Sequence, residues 1–297
     1  MPCSYTRSAT QSHPARRLAN RYRRTLRHTS ATLLAVATVV PLAASADSYE
    51  RERLLGDSAG LRSAAESQGL SFDTTLVGDY SIVLDGGANP RATAARYLAE
   101  AGLTLDTQTA FGWTGGTLRA AYVGFHGDNG NLDTGDAQTY SNIDEAPFDA
   151  LYSLWYRQTL FDDRLAVKFG KMDANADFAY VDNGAAFINS SPAFLPTIQG
   201  FPSYPDPATA VNIFFTSESG PYAGAGVYDG ATQAGIRTGT HGPDTFFGEP
   251  SDLFYIAEAG LRYSLGARAG RIGLGYWQHT GDFDRFDGAT EDDADDF

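Results

Sequence analysis

Between residues 70 and 280 the side chains alternate apolar and polar with a period of two, and the stretches joining these runs come in two lengths that take strict turns. The clearest instance lies within Leu151 to Ser191. Tyr152, Leu154 and Tyr156 fall on one face, and Ser153, Trp155 and Arg157 on the other. After Phe161-Asp162-Asp163-Arg164, a second run sets Leu165, Val167 and Phe169 against Ala166, Lys168 and Gly170. Alternation on both sides of a tight polar turn specifies a β-hairpin. The same pattern predicts nine strands along the chain. Long connections follow the odd strands (85–95, 127–147, 174–208, 230–251 and 281–297), and short ones follow the even strands (109–114, 161–164, 218–221 and 266–269).

Antiparallel neighbours with short joins at one end and long joins at the other describe an up-and-down sheet, and an outer-membrane β-barrel sorts its connections in this way. A soluble sandwich has no reason to. In the first strand Leu70, Phe72, Leu76, Tyr80, Ile82 and Leu84 share a face against Asp73, Thr75, Asp79 and Ser81. Tyr80, Tyr97, Tyr122, Tyr152, Tyr156, Tyr222, Tyr255, Tyr263 and Tyr276 sit on or near the apolar phase, where barrel tyrosines form girdles at the water–lipid boundary. Strand patterning alone leaves open a soluble β-sandwich with these rings in its core. No stretch after residue 46 is apolar enough for a transmembrane helix, which is silent about barrel strands because those need only ~9–11 residues.

Residues 1–30 carry seven arginines and no acid, and are followed by the apolar run 32–43 and by Ala44-Ser45-Ala46. This is the pattern of a secretory signal peptide cleaved before Asp47, with an apolar run short for a bilayer span. The expected organisation is therefore a signal peptide at 1–46, an N-terminal periplasmic segment with a short helix at 47–69, and a partial barrel at 70–297. The whole chain has a net charge of −14, and removing the arginine-rich leader makes the remainder more acidic still. Such a surface disfavours nucleic acid and argues against anions as general cargo. The one cysteine, Cys3, lies in the leader, so the mature part has no thiol chemistry.

Motifs that suggest chemistry fail on context. Gly56-Asp57-Ser58-Ala59-Gly60 matches G-x-S-x-G, but a nucleophile elbow needs a buried strand before it and a helix after it within a βα pattern. Its expected role is the N-cap, at Asp57 or Ser58, of a short helix running to Glu66 and ended by Gly69. Asp282, Asp284, Asp287 and Gly288 miss the calcium-loop register, because Phe286 stands where an acid is required and the glycine is one place late. The expectation is a solvated acidic loop. His126, His241 and His279 lack zinc-ligand spacing, and no phosphate loop or dinucleotide fingerprint occurs. Neither catalysis nor a cofactor is indicated.

The run Leu154-Trp-Tyr-Arg-Gln-Thr-Leu-Phe-Asp-Asp-Arg-Leu-Ala-Val-Lys-Phe-Gly-Lys-Met-Asp-Ala-Asn-Ala-Asp-Phe-Ala179, followed by Phe187-Ile-Asn-Ser-Ser191, closely resembles the carbohydrate-selective porins of the OprB family. So do Leu54–Arg62, Gly69–Asp73 and Gly224–Gly230, and the resemblance covers essentially all of 52–280. Ser58 departs from it, standing where the family usually has tryptophan. The resemblance implies an all-β, sixteen-stranded transmembrane barrel in a Gram-negative outer membrane, inserted by the barrel-assembly machinery and surrounded by outer-membrane lipid. It implies passive passage of small, glucose-like sugars and no enzymatic step. A secreted soluble glycan-binding or glycan-active protein, or a general non-sugar porin, is the alternative. Nine strands fall short of sixteen, and the last residues, 291–296, read as loop. The expectation is a truncated product forming an open, curved sheet. On the barrel reading the polar phase faces the lumen and places Glu100, Arg119, Trp155, Arg157, Lys168, Glu258, Arg262, Arg271 and Trp277 there. The third long connection, with Asp173, Asn175, Asp177, Asn189 and Ser190, is expected to narrow the passage.

Overall fold

The computed structural model of the protein describes residues 56–136, 139–181, 184, 187–189, 198–241, 243–266, 268–283 and 292–293. The expected signal peptide, Ser190 and most of the acidic loop after Phe283 lie outside the described residues.

The alternating runs become nine strands: β1 (Leu70–Ile82), β2 (Thr93–Asp106), β3 (Gly116–Gly127), β4 (Phe148–Leu160), β5 (Leu165–Met172), β6 (Ala208–Thr216), β7 (Pro221–Asp229), β8 (Leu253–Leu265) and β9 (Arg268–His279). They form one sheet in sequence order, and every neighbouring pair is antiparallel. Short joins cluster at one end, at 161–164, 217–220 and 266–267, with 107–115 holding the small helix α2 (Thr107–Phe111). Long joins cluster at the other, at 83–92, 128–147, 173–207 and 230–252. Among the described residues β1 and β9 each have one edge without a strand partner. The tight β4–β5 turn is made by three successive non-glycine residues in the left-handed region: Phe161, Asp162 and Asp163, with φ of 56°, 55° and 63°.

The two faces of the sheet have inverted character relative to a water-soluble domain. The outer face is apolar and exposed: Leu76 is 75 % exposed and Leu274 86 %, and Tyr80, Leu103, Phe169, Ile213, Phe215 and Ile272 accompany them. The opposite face is polar, and the long joins fold onto it. A bare apolar face is costly in water and matched to lipid. Two apolar clusters therefore form against the inner face. One contains Met172, Phe178, Ile198, Tyr228, Phe254 and Ile256, and the other Val123, Phe125, Ile143, Phe148 and Ala150. The glycine pattern of β7 follows from the first cluster. A Cβ on Gly224 would collide with the Phe214 ring, and one on Gly226 with Asn212, Tyr228 and Phe178.

Three expectations are corrected. Tyr152 does not share the face of Leu154 and Tyr156. The register shifts between Ala121 and Tyr122, which pair with Ser153 and Leu151, and Tyr152 is the extra residue of the bulge. An inserted residue bends the strand and re-aims its side chain. Tyr152 accordingly turns inward to the second cluster. Tyr222, placed with the girdle, is buried and donates a 2.6 Å hydrogen bond to Glu258 on the inner face. The first helix, α1, spans Leu61–Glu66 and does not begin at Asp57 or Ser58. Ser58 and Ala59 are left-handed, with φ of 50° and 60°, so the helical turn starts only after Gly60. Asp57 still caps at longer range, accepting from Ser63 N at 2.8 Å and Ser63 Oγ at 2.9 Å.

Candidate functional site

The site is the polar face of the sheet and the start of the third long join, which crosses it. β5 ends at Met172, and the next residue sets the course of the chain. Asp173 is extended and accepts from Asn175 N at 2.7 Å, opening a short 3-10 turn at Ala174–Ala176. Its other oxygen accepts from Tyr152 Oη at 2.5 Å, so the bulge on β4 positions the turn. Burial holds the Asp173 carboxyl above the usual carboxylate range, against hydrogen bonds from Tyr152, Ser203 and Asn175 that pull it down. Asn175 Nδ2 donates to the carbonyls of Phe178 and Ala179 at 3.2 and 3.4 Å. That closes the turn and presses the Phe178 ring onto the sheet, fully buried, 4.9 Å from Phe214 and 6.5 Å from Tyr228.

From there the chain is tied to successive strands. Asp177 Oδ2 accepts from Lys168 Nζ on β5 at 2.8 Å and from Asn212 Nδ2 on β6 at 2.9 Å. Lys168 also lies 4.6 Å over the Trp155 ring. Ala179 N donates to Glu258 Oε2 on β8 at 3.4 Å. On β9, Arg271 donates to the Tyr180 carbonyl at 2.5 Å and stacks on its ring at 4.1 Å. Residues 173–180 thus span the inner face from β4 to β9, alternating charged contacts with buried rings.

Toward the β1 edge of the same face Arg119 grips Asp73 with both terminal nitrogens at 2.8 and 3.1 Å, and reaches Glu100 at 3.1 Å and Thr104 Oγ1 at 3.1 Å. All nine residues assigned to the polar phase, Glu100, Arg119, Trp155, Arg157, Lys168, Glu258, Arg262, Arg271 and Trp277, lie on this face by register. Lys168 with Trp155 forms one group, and Glu258, Arg262 and Arg271 around Tyr222 a second. Trp277 packs on Phe254, ring centroids 6.1 Å apart and 19° from parallel. Arg157 and Arg262 are exposed and have no ion pair among the described residues. Of the loop residues, Asp173 and Asn175 shape the turn and Asp177 neutralises a lysine. Asn189 joins two long loops by donating to the Thr139 carbonyl at 2.7 Å.

Pattern reading did not single out Arg96, Asn212 or Phe178. Arg96 lies on the polar phase of β2 and is 4 % exposed. Its Nε is 2.7 Å from Asp144 Oδ1, and Nη2 donates to Tyr140 Oη at 2.7 Å. Its signal was a cation on the inward phase; besides Ser81 of β1, its partners Asp144 and Tyr140 belong to a loop that alternation does not describe. Asn212 breaks the apolar run of β6 on the inward phase, a visible anomaly in retrospect.

Residues 87–293 match the family described as "Carbohydrate-selective porin, OprB family". Porin B of Pseudomonas aeruginosa is 30 % identical over 145 residues, covering 46 % of this chain and 32 % of Porin B. The high-pH structure of Pseudomonas putida OprB superposes with a TM-score of 0.67 at 21 % identity, covering 81 % of this chain and 59 % of that one. The first match takes in about a third of that relative's length and the second somewhat over half of the solved chain. The likeness to the solved structure is one of fold, carried by the nine-stranded up-and-down sheet among the described residues. The chain belongs to the OprB family of carbohydrate-selective porins.

Proposed function

We propose that the protein supplies wall and constriction for passive, sugar-selective diffusion across a Gram-negative outer membrane. The supporting observation is the pairing of an exposed apolar face with a polar face crossed by residues 173–180. A channel wall in lipid needs the first, and selection among polar solutes uses the second. On this reading residues 1–46 direct export and are removed, 47–69 lie in the periplasm, and the short turns point there too. Lumen-facing charges bond sugar hydroxyls, while the edges of Trp155 and Trp277 offer apolar contact to ring faces. Weak, repeated contacts let a solute enter without trapping it. No bond is made or broken, and the partners are small sugars, outer-membrane lipid and the machinery that assembles barrels.

The test uses the full chain expressed in a Gram-negative host and fractionated. The expected result is recovery with outer membranes and release only by detergent. Proteoliposomes containing the purified protein are then expected to swell in glucose faster than in an equal osmolarity of a large oligosaccharide. Recovery in the soluble periplasmic fraction, or swelling blind to sugar size and identity, would sink the reading. A soluble glycan-binding protein would bury the face that carries Leu76 and Leu274, and in this fold that face is bare.

A further inference from the structure

Two cross-strand pairs on the inner face set cation against cation. Arg157 stands opposite Lys168 in the β4–β5 register, and Arg262 opposite Arg271 in β8–β9. Like charges directly opposed weaken a sheet, so each pair calls for compensation. It arrives for one member of each. Asp177 sits 2.8 Å from Lys168, and Glu258 lies 3.5 Å from Arg271, whose guanidinium also holds the Tyr180 carbonyl. The other two cations are left over. Arg262 lies over the face of Tyr222, at 5.2 Å, has no ion pair among the described residues, and opens into a groove of about 700 Å³ beside the short turns. Tyr180, Ser217, Ser219, Ser264 and Arg271 line that groove with it. Glu218 stands at its rim and is paired with Arg164 at 3.2 Å.

We propose that this groove is a subsite for sugar carboxylates, the uronates and aldonates, with Arg262 taking the carboxylate and the serine hydroxyls the ring. The inference rests on the channel reading and extends its cargo beyond neutral sugars. A planar guanidinium with no anion of its own matches a carboxylate through two parallel N–H bonds. Glu258 and Glu218 are near enough to make a dianionic phosphate a worse fit than a monoanion. The chain's overall charge of −14 repels anions at long range, and the opposed arginines reverse that sign at one level of the path. Binding there relieves the repulsion between Arg262 and Arg271, so occupancy and sheet stability are linked.

The experiment titrates glucuronate, glucose and acetate against the full chain in detergent at low salt, reading affinity by ligand-observed NMR and stability by thermal unfolding. Glucuronate is expected to bind roughly tenfold tighter than glucose, the order of one charge-assisted hydrogen bond, and to raise the unfolding temperature. Arg262→Gln is expected to bring glucuronate down to the affinity of glucose. Because it removes one of two opposed cations, it should also raise the unfolding temperature without ligand, which a misfolded variant cannot mimic. Arg262→Lys keeps the charge without the planar fork and should retain only part of the preference. Glucose binding with glucuronate no tighter overturns the subsite and leaves the channel reading standing. Acetate binding as tightly as glucuronate overturns it too, since the sugar then contributes nothing. If no sugar of either kind binds, the channel reading falls first and the subsite with it.

Discussion

The described parts of the joins 128–147 and 173–207 both fold onto the inner face, and they are held there by different means. The first is centred on one buried arginine, with hydrogen bonds from Ser141 to Asp79, from Asn89 to Asp133 and from Tyr204 to the Ile143 carbonyl around it. Arg96 and Asp144 have side chains 1 % and 0 % exposed and stand 2.7 Å apart, yet they are poorly aligned for a hydrogen bond, and Asp144 Oδ2 has no hydrogen-bond partner among the described residues. Burial lifts the Asp144 carboxyl above the usual carboxylate range, with Arg96 pulling the other way. The third loop is attached at several points, from Tyr152 on β4 to Arg271 on β9, around the Phe178 ring. The buried ion pair ties one point of the first loop to the sheet at high desolvation cost, whereas contacts to successive strands lead the third along a path. The loop that crosses the inner face from strand to strand is the one led along a path.

The sharpest way to break this contrast is to remove the ring at the centre of the distributed set. Phe178→Ala should cost about 3–5 kcal/mol, the range for emptying a packed aromatic site, and should be seen as lost hydrogen-exchange protection in 173–180 with 128–147 unchanged. Loosening of both loops together would show that they are one unit. Arg96→Met comes next, at about 3 kcal/mol, because it strands a buried carboxylate. The cost falls at the low end, since burial already raises the Asp144 carboxyl and the stranded group can escape by taking up a proton. Exposure of 128–147 to protease should rise while 173–180 stays protected.

A smaller effect is expected from pH. Asp173 and Asp144 both have carboxyls raised in the folded state by burial, so the folded protein holds protons that the unfolded chain releases. Loop stability is therefore full below the ordinary carboxylate range and declines as pH rises through the raised values, then levels off. Protection factors for 173–180 measured upward from about pH 4 should fall. Asp173→Asn should flatten that dependence while leaving the dependence of 128–147 intact. Smallest is Arg119→Gln, in the partly exposed cluster with Asp73 and Glu100, at under about 1 kcal/mol. A larger loss in a denaturant titration would mean that this side of the sheet is less wet than its exposure indicates.

The strands and their two faces were legible because a period of two reports orientation directly. Leu103 and Leu274 fell outward and Arg119 and Arg271 inward, as alternation required. Alternation is blind to a bulge, so Tyr152 was given the wrong face. In β7 it was outweighed by small residues, so Tyr222 joined the wrong set. The candidate lining was legible as a phase, but not as a network. That Asp177 meets Lys168, or Asp144 meets Arg96, depends on how a non-periodic loop folds back over many residues. Nothing local to either partner encodes that approach.

The bulge at Tyr152 also bears on how such a wall can change length. Leu151 and Ser153 already point to opposite faces, so Tyr152 is surplus to the alternation. Deleting that one residue would leave every inward and outward assignment of β4 where it stands and remove the hydroxyl that holds Asp173, with one ring of the second cluster. An indel just after the bulge would invert the side chains beyond it, turning Trp155 and Arg157 onto the apolar face. The position is a natural splice point, where one residue can be gained or lost with consequences confined to the loops that its side chain touches.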